Sequence, residues 1–96
     1  MELDIRGVHY EITEEDRDLI DKKLSKIEFA EDSLVSIHFA ILKDKNRFEC
    51  EATIHFRWGN QIIIHVTDYH LHEGLDKLFK KMKMSVAKEK DRIKDR

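Results

Sequence analysis

The stretch LVSIHFAILKDKNRFECEATIHFRWGNQIIIHVT, Leu34–Thr67, decides the fold. Arg47–Arg57 alternates most cleanly: Phe48, Cys50, Ala52, Ile54 and Phe56 fall on one side, and Arg47, Glu49, Glu51, Thr53, His55 and Arg57 on the other. A period of two is the mark of a strand with one face buried. Before it, Leu34–Lys43 sets Val35, Ile37, Phe39 and Ile41 against Ser36, His38 and Ala40; after it, Gln61–Thr67 sets Ile62, Ile64 and Val66 inward. Asp44-Lys45-Asn46 and Trp58-Gly59-Asn60 have turn composition. Three such runs with short turns predict an antiparallel meander. Leu34, Leu42 and Ile63 fall on the nominally wet face, and patterning alone gives no reason for them.

Working outward, Glu2–Val8 reads as a first strand with Leu3, Ile5 and Gly7 on one side. Thr13 has the chemistry of an N-cap, and Glu14, Glu15 and Asp16 follow it where carboxylates favour the helix dipole. Ile20, Leu24 and Ile27, with Leu19 alongside, predict an amphipathic helix over Glu14–Ile27. From about His70 to near the end, Leu71, Leu75, Leu78, Phe79, Met82 and Val86 form a dense helical stripe, with only Ile93 beyond. The order is β-α-β-β-β-α. It predicts an α+β two-layer sandwich, with two helices on one face of a four-stranded sheet and the other face wet.

Ninety-six residues make one domain with one modest core. Hydrophobic residues are 41% of the chain and charged residues 40%, so nearly all that lies outside the core is ionisable. With no proline and three glycines, no linker or disordered tract is visible. A single cysteine, Cys50, cannot form an internal disulfide, and its place between Phe48 and Ala52 suits a small buried hydrophobe. Met1-Glu2-Leu3-Asp4 lacks the basic start and apolar run of a signal peptide, and no apolar run is long enough for a membrane span. A soluble cytoplasmic protein without a membrane partner is the expectation.

The net charge of −2 hides a dipole. Residues 77–96 hold nine Lys or Arg against three Asp or Glu, a net +6, whereas residues 1–76 carry −8. Charges beyond a Debye length, about 8 Å at physiological salt, barely feel each other. A polyanion touching the C-terminal arm therefore meets mainly the arm. Helical spacing puts Lys77, Lys81, Lys88 and Arg92 toward one side, with Lys80 at its margin and Met84 interrupting it. Lys83, Lys90 and Lys94 form a second stripe on the other flank of the apolar face. Taken alone, such a run is more often a solvated helix end than a binding surface. Lys22, Lys23 and Lys26 either extend the basic surface, if the helices lie side by side, or serve the dipole of their own helix.

Other chemistry finds little footing. His70 and His72 diverge at a helix start without a third ligand of obvious spacing, and His38, His55 and His65 could share the wet face. Surface histidines are the default reading, and no metal or other cofactor is expected. Trp58, at a hairpin tip, could stack on a nucleobase or pack on its turn. No glycine-rich phosphate loop, nucleophile elbow or paired-carboxylate signature is present, so no enzyme and no small-molecule substrate are expected.

Several short matches in register carry a family resemblance. They are Leu3-Asp4-Ile5-Arg6-Gly7, Glu11-Ile12-Thr13-Glu14, Arg17, Lys23 and Lys26-Ile27-Glu28 in the first half. The second half adds Gly74-Leu75-Asp76-Lys77-Leu78, Lys81-Met82 and Val86-Ala87-Lys88-Glu89-Lys90-Asp91-Arg92-Ile93-Lys94. The chain resembles the short ribosome hibernation promoting factors, relatives of the ribosome-associated inhibitor protein, also called the sigma-54 modulation protein family. Asp68–Asp76 is two residues longer than the family's usual approach to the last helix. The resemblance implies a fold like a double-stranded-RNA-binding domain. It implies docking on the small ribosomal subunit and its rRNA, in the channel that mRNA and tRNA use, and inhibition of translation in stationary or stressed cells. A separate ribosome-dimerising partner is a further implication. On this reading Lys22, Lys23, Lys26, Lys77, Lys80, Lys81, Lys83, Lys88, Lys90, Arg92 and Lys94 are the candidate RNA contacts. Its rivals are a generic double-stranded-RNA or nucleic-acid-binding domain and a protein-interaction module that pairs through its last helix.

Overall fold

The computed structural model describes residues 1–94. The elements are β1 (Glu2–Val8), α1 (Glu14–Lys23), a 3-10 segment (Leu24–Ser33), β2 (Leu34–Asp44), β3 (Arg47–Phe56), β4 (Gln61–Asp68) and α2 (Leu71–Lys94). The sheet order is β1-β2-β3-β4. β2, β3 and β4 form the antiparallel meander, while β1 pairs with β2 in parallel, Leu3 opposite Ile37 and Ile5 opposite Phe39. A parallel neighbour needs a crossover, which α1 and the 3-10 segment supply.

Both helical stretches pack on one sheet face. Ile37, Phe39 and Ile41 of β2, Cys50, Ala52, Ile54 and Phe56 of β3, and Ile64 and Val66 of β4 form the floor. Leu71, Leu75, Leu78, Phe79, Met82 and Val86 of α2 close over it, with Ile20, Ile27 and Ala30 beside them. Phe39 and Phe79 meet ring to ring at 5.4 Å across the layers. Truncating a buried ring such as Phe79 to alanine costs about 3–5 kcal/mol.

α1 starts as its sequence dictates. The Thr13 hydroxyl accepts from Asp16 N–H and the Asp16 carboxylate accepts from Thr13 N–H, each at 3.1 Å, a reciprocal capping box. The Tyr10 hydroxyl adds a 2.6 Å bond to Asp16. Burial and that carboxylate push the phenol up to about 12. Gly7 is required here, because a Cβ on it would stand 2.0 Å from the Tyr10 carbonyl oxygen.

Two expectations are corrected. The first α-helix ends at Lys23, not Ile27, and the next ten residues are 3-10. Leu24, Ile27 and Ala30 recur every three residues, the repeat of a 3-10 helix, so that winding keeps all three turned to the core. In β2, Val35 does not share the face of Ile37: it is exposed while Leu34 is buried. A register irregularity between Leu34 and Ser36 sets Val35 outside the pairing and turns Leu34 inward, opposite Phe56. That accounts for Leu34. Ile63 is exposed and Leu42 half-buried, as their place on the open face implies.

Candidate nucleic-acid interface

α2 positions most of the candidate lysines. Its apolar stripe is buried against the sheet and the 3-10 segment, so its cations emerge on both flanks and on the crown. One flank runs along β4. There Lys77, Lys80 and Lys81 border a shallow depression with His65, Val66 and Thr67, and Lys88 and Arg92 border another with Ile62. The other flank meets the 3-10 segment, where Lys90 donates to the Phe29 carbonyl at 3.1 Å. The two stripes expected from helical spacing therefore lie against different elements.

The helices do lie side by side, and this brings the first group of lysines to the second. Lys23, mostly buried, is ion-paired with Asp76 of α2. Its ammonium is held below the usual lysine range by burial first, then by the positive charges of Lys26 and Lys80. Three ammonium groups from three elements thus converge on one seam. The Asp76 carboxylate already offsets part of their mutual repulsion at Lys23. Lys22 is exposed on the last turn of α1.

The candidates divide into two kinds. Lys77 donates to Asp68 Oδ2 at 2.7 Å, and Asp68 also accepts from the His70 N–H at 2.9 Å, just before the first turn of α2. The His70 amide, then Lys77, hold the Asp68 carboxyl below its usual range, and Asp68 holds the Lys77 ammonium above its own. Arg92 makes two bonds to Glu89, at 2.8 and 3.0 Å. Glu89 is 5% exposed and also accepts from Asn60 in the β3–β4 turn. Burial pushes its pKa up, but hydrogen bonds from Asn60, Arg92 and Trp58 together hold the carboxyl below the usual range. These cations fasten the two ends of α2. By contrast Lys80, Lys81, Lys83 and Lys88 are exposed and have no hydrogen bond or ion pair among the described residues, and the same holds for Lys22 and the half-buried Lys26. The Lys94 side chain lies outside the described residues.

Sequence reading missed the three acidic anchors, Asp68, Asp76 and Glu89. Only Glu89 left a local signal, its spacing of three from Arg92 on a helix. The open sheet face is a contrast in charge. His38 lies 3.6 Å from Asp4 and edge-on to His55 at 5.8 Å, and His65 lies 3.2 Å from Glu49. No cluster of three metal-ligating side chains occurs among the described residues. Burial, reinforced by Asp68, pushes the Cys50 thiol up to about 11, so it stays protonated. Among the described residues no helix is long and apolar enough to cross a membrane.

The family model for the Sigma 54 modulation protein / S30EA ribosomal protein family matches residues 3–94. The chain belongs to that family. It is 28% identical over 94 residues to the ribosome hibernation promoting factor of Escherichia coli K12, covering 98% of each chain. It is 24% identical to the Azotobacter vinelandii protein of the same name, covering 96% of this chain and 85% of the relative. Among solved structures, a ribosomal subunit interface protein from Coxiella burnetii superposes with a TM-score of 0.87 at 23% identity, over 95% of this chain and 99% of that one. The N-terminal domain of Thermus thermophilus Protein Y gives 0.79 at 20% identity, over 90% and 96%. These two likenesses bear on the fold: two helices on one face of a four-stranded mixed sheet.

Proposed function

We propose that this family member is a ribosome hibernation factor. It docks on the small ribosomal subunit, fills the channel that mRNA and tRNA require, and so blocks translation by occupancy. The observation that carries the reading is the band of lysines along the middle of α2 that have no partner among the described residues, continued by Lys26 and Lys22, on an otherwise acidic body. The names of the relatives support the same reading. No catalytic step is part of it. Lysines reach phosphates as point charges and carry little base information, so recognition is by shape and charge. A fold like a double-stranded-RNA-binding domain and a separate dimerising partner belong to the same proposal, as does residence in the cytoplasm, where ribosomes are.

The rival module that pairs through its last helix is disfavoured by packing. The apolar positions of α2 from Leu71 to Val86 are already buried against this domain's own core, save Met84, which is exposed on the crown. The test is sedimentation through sucrose gradients with purified small subunits. The wild-type chain is expected to travel with them at low salt and to be stripped at high salt, because each neutralised phosphate releases counterion. Recovery only at the top of the gradient at every salt concentration overturns the proposal.

A further inference from the structure

Where the far end of α2 crosses the 3-10 segment, the surface opens into a groove of about 490 Å3, within the range of small-ligand sites. Phe29, Trp58, Ala87 and Ile93 give it apolar walls, and Lys90 and Asp91 stand at its rim. Phe29 is 49% exposed and Trp58 37% exposed, large values for aromatic side chains beside a basic helix. Both are held in place. The indole stacks on the buried Phe56 ring at 5.1 Å and 18°. The Lys90 ammonium stands 5.7 Å from the centre of the Phe29 ring and is tied to the Phe29 carbonyl.

We propose that this groove takes one unpaired nucleobase of the RNA on which the domain docks, stacked on the Phe29–Trp58 walls with its phosphate at Lys90. The inference rests on the RNA-docking reading and adds a contact of a different kind. Fixed aromatic faces cost little ordering entropy and suit any base, since every base has a π-face. The ammonium at the rim supplies the complementary charge, and the lysine band on the same helix delivers the strand. Asp91 repels phosphate on its own side of the rim, so the backbone enters past Lys90. Trp58 packs against Phe56 and also lines the groove, so turn packing and base stacking are compatible at this residue.

The experiment measures affinity for purified small ribosomal subunits across a salt series, for wild type, Phe29→Ala, Lys90→Gln and Lys81→Glu. Phe29 is exposed, so its truncation leaves the core intact. Phe29→Ala is expected to weaken binding roughly five- to a hundred-fold with the salt slope unchanged, the signature of lost stacking. Lys81→Glu is expected to lower the slope as well as the affinity. Ultraviolet irradiation of the wild-type complex is expected to leave a nucleotide adduct on the Phe29 or Trp58 peptide. If Phe29→Ala binds as tightly as wild type, or the adduct there is a protein peptide, the base-stacking proposal fails while RNA docking stands. If wild type does not bind at any salt concentration, both readings fail together.

Discussion

The middle turns of α2 and its two ends carry the same kind of residue and use it differently. At the start Lys77 closes onto Asp68, and at the end Arg92 closes onto Glu89. Between them Lys80, Lys81, Lys83 and Lys88 find no partner among the described residues. A count of positive charge treats these groups alike. Geometry separates cations that hold the helix to its domain from cations left over for a polyanion. The acids decide which is which, because each anchor belongs to, or is fixed by, another element: Asp68 ends β4, and Glu89 is gripped by the β3–β4 turn through Asn60.

The comparison breaks first if the middle turns turn out to be dispensable. Replacing Lys81, Lys83 and Lys88 together with glutamate is expected to weaken small-subunit binding on the order of a thousand-fold at physiological salt. Circular dichroism and the urea midpoint should stay near wild type, since these exposed side chains have no hydrogen bond or ion pair among the described residues. Unchanged co-sedimentation of the triple variant would remove the basis of the division. The ends should behave in the opposite way. Glu89→Ala strips a nearly buried carboxylate from the exposed Arg92 and the half-buried Asn60. Its expected cost is about 1–2 kcal/mol in urea unfolding. RNA affinity, measured where the variant is still folded, should fall far less than in the triple variant.

How much of this was legible beforehand follows from the range of each interaction. The strands and α2 could be read because their patterns repeat locally: Phe48 to Phe56 every second residue, Leu71 to Val86 at helical spacing. The change of winding after Lys23 was not legible, because Leu24, Ile27 and Ala30 also fit an α-helical stripe, and only packing selects the tighter coil. The irregularity at Val35 was hidden for a related reason. A single residue outside the pairing reverses the face of everything before it, and the misplaced Leu34 was its only trace. In the candidate site, the two lysine stripes were visible as helical geometry. The neutralisation of Lys23 and Lys77 was not, since Asp76 is 53 residues from Lys23 and Asp68 lies nine residues from Lys77 across a turn.

A pH series sharpens the comparison further. The carboxyls of Glu89 and Asp68 both titrate below their unfolded values in the folded chain. Their contribution is therefore present above the unfolded carboxylate range, about pH 4, and is lost as pH falls through the folded values. Stability from urea midpoints is expected to decline below about pH 4, and Glu89→Gln should flatten part of that decline. A Glu89→Gln profile identical in shape to wild type would mean that the carboxylate is not what holds the end of α2.

The smallest effects discriminate best, because they compare one lysine with another on the same flank. Lys77 and Lys81 are a single turn apart, and both border the depression beside β4. Among the described residues only Lys77 has a carboxylate partner. Neutralising Lys81 removes a free cation, so Lys81→Gln is expected to cut small-subunit affinity several-fold and to lower the salt slope by about one unit. Neutralising Lys77 releases Asp68 as well as removing a charge already half spent, so Lys77→Gln should change affinity less than about three-fold. Lys77 in that pair is 59% exposed and screened while Asp68 is 8% exposed, and loss of the pair should move Tm by no more than about 8 °C. Equal losses of affinity at the two positions would show that an existing carboxylate partner does not withhold a lysine from RNA. The division between holding and docking cations would then be one of position along the helix, not of pairing.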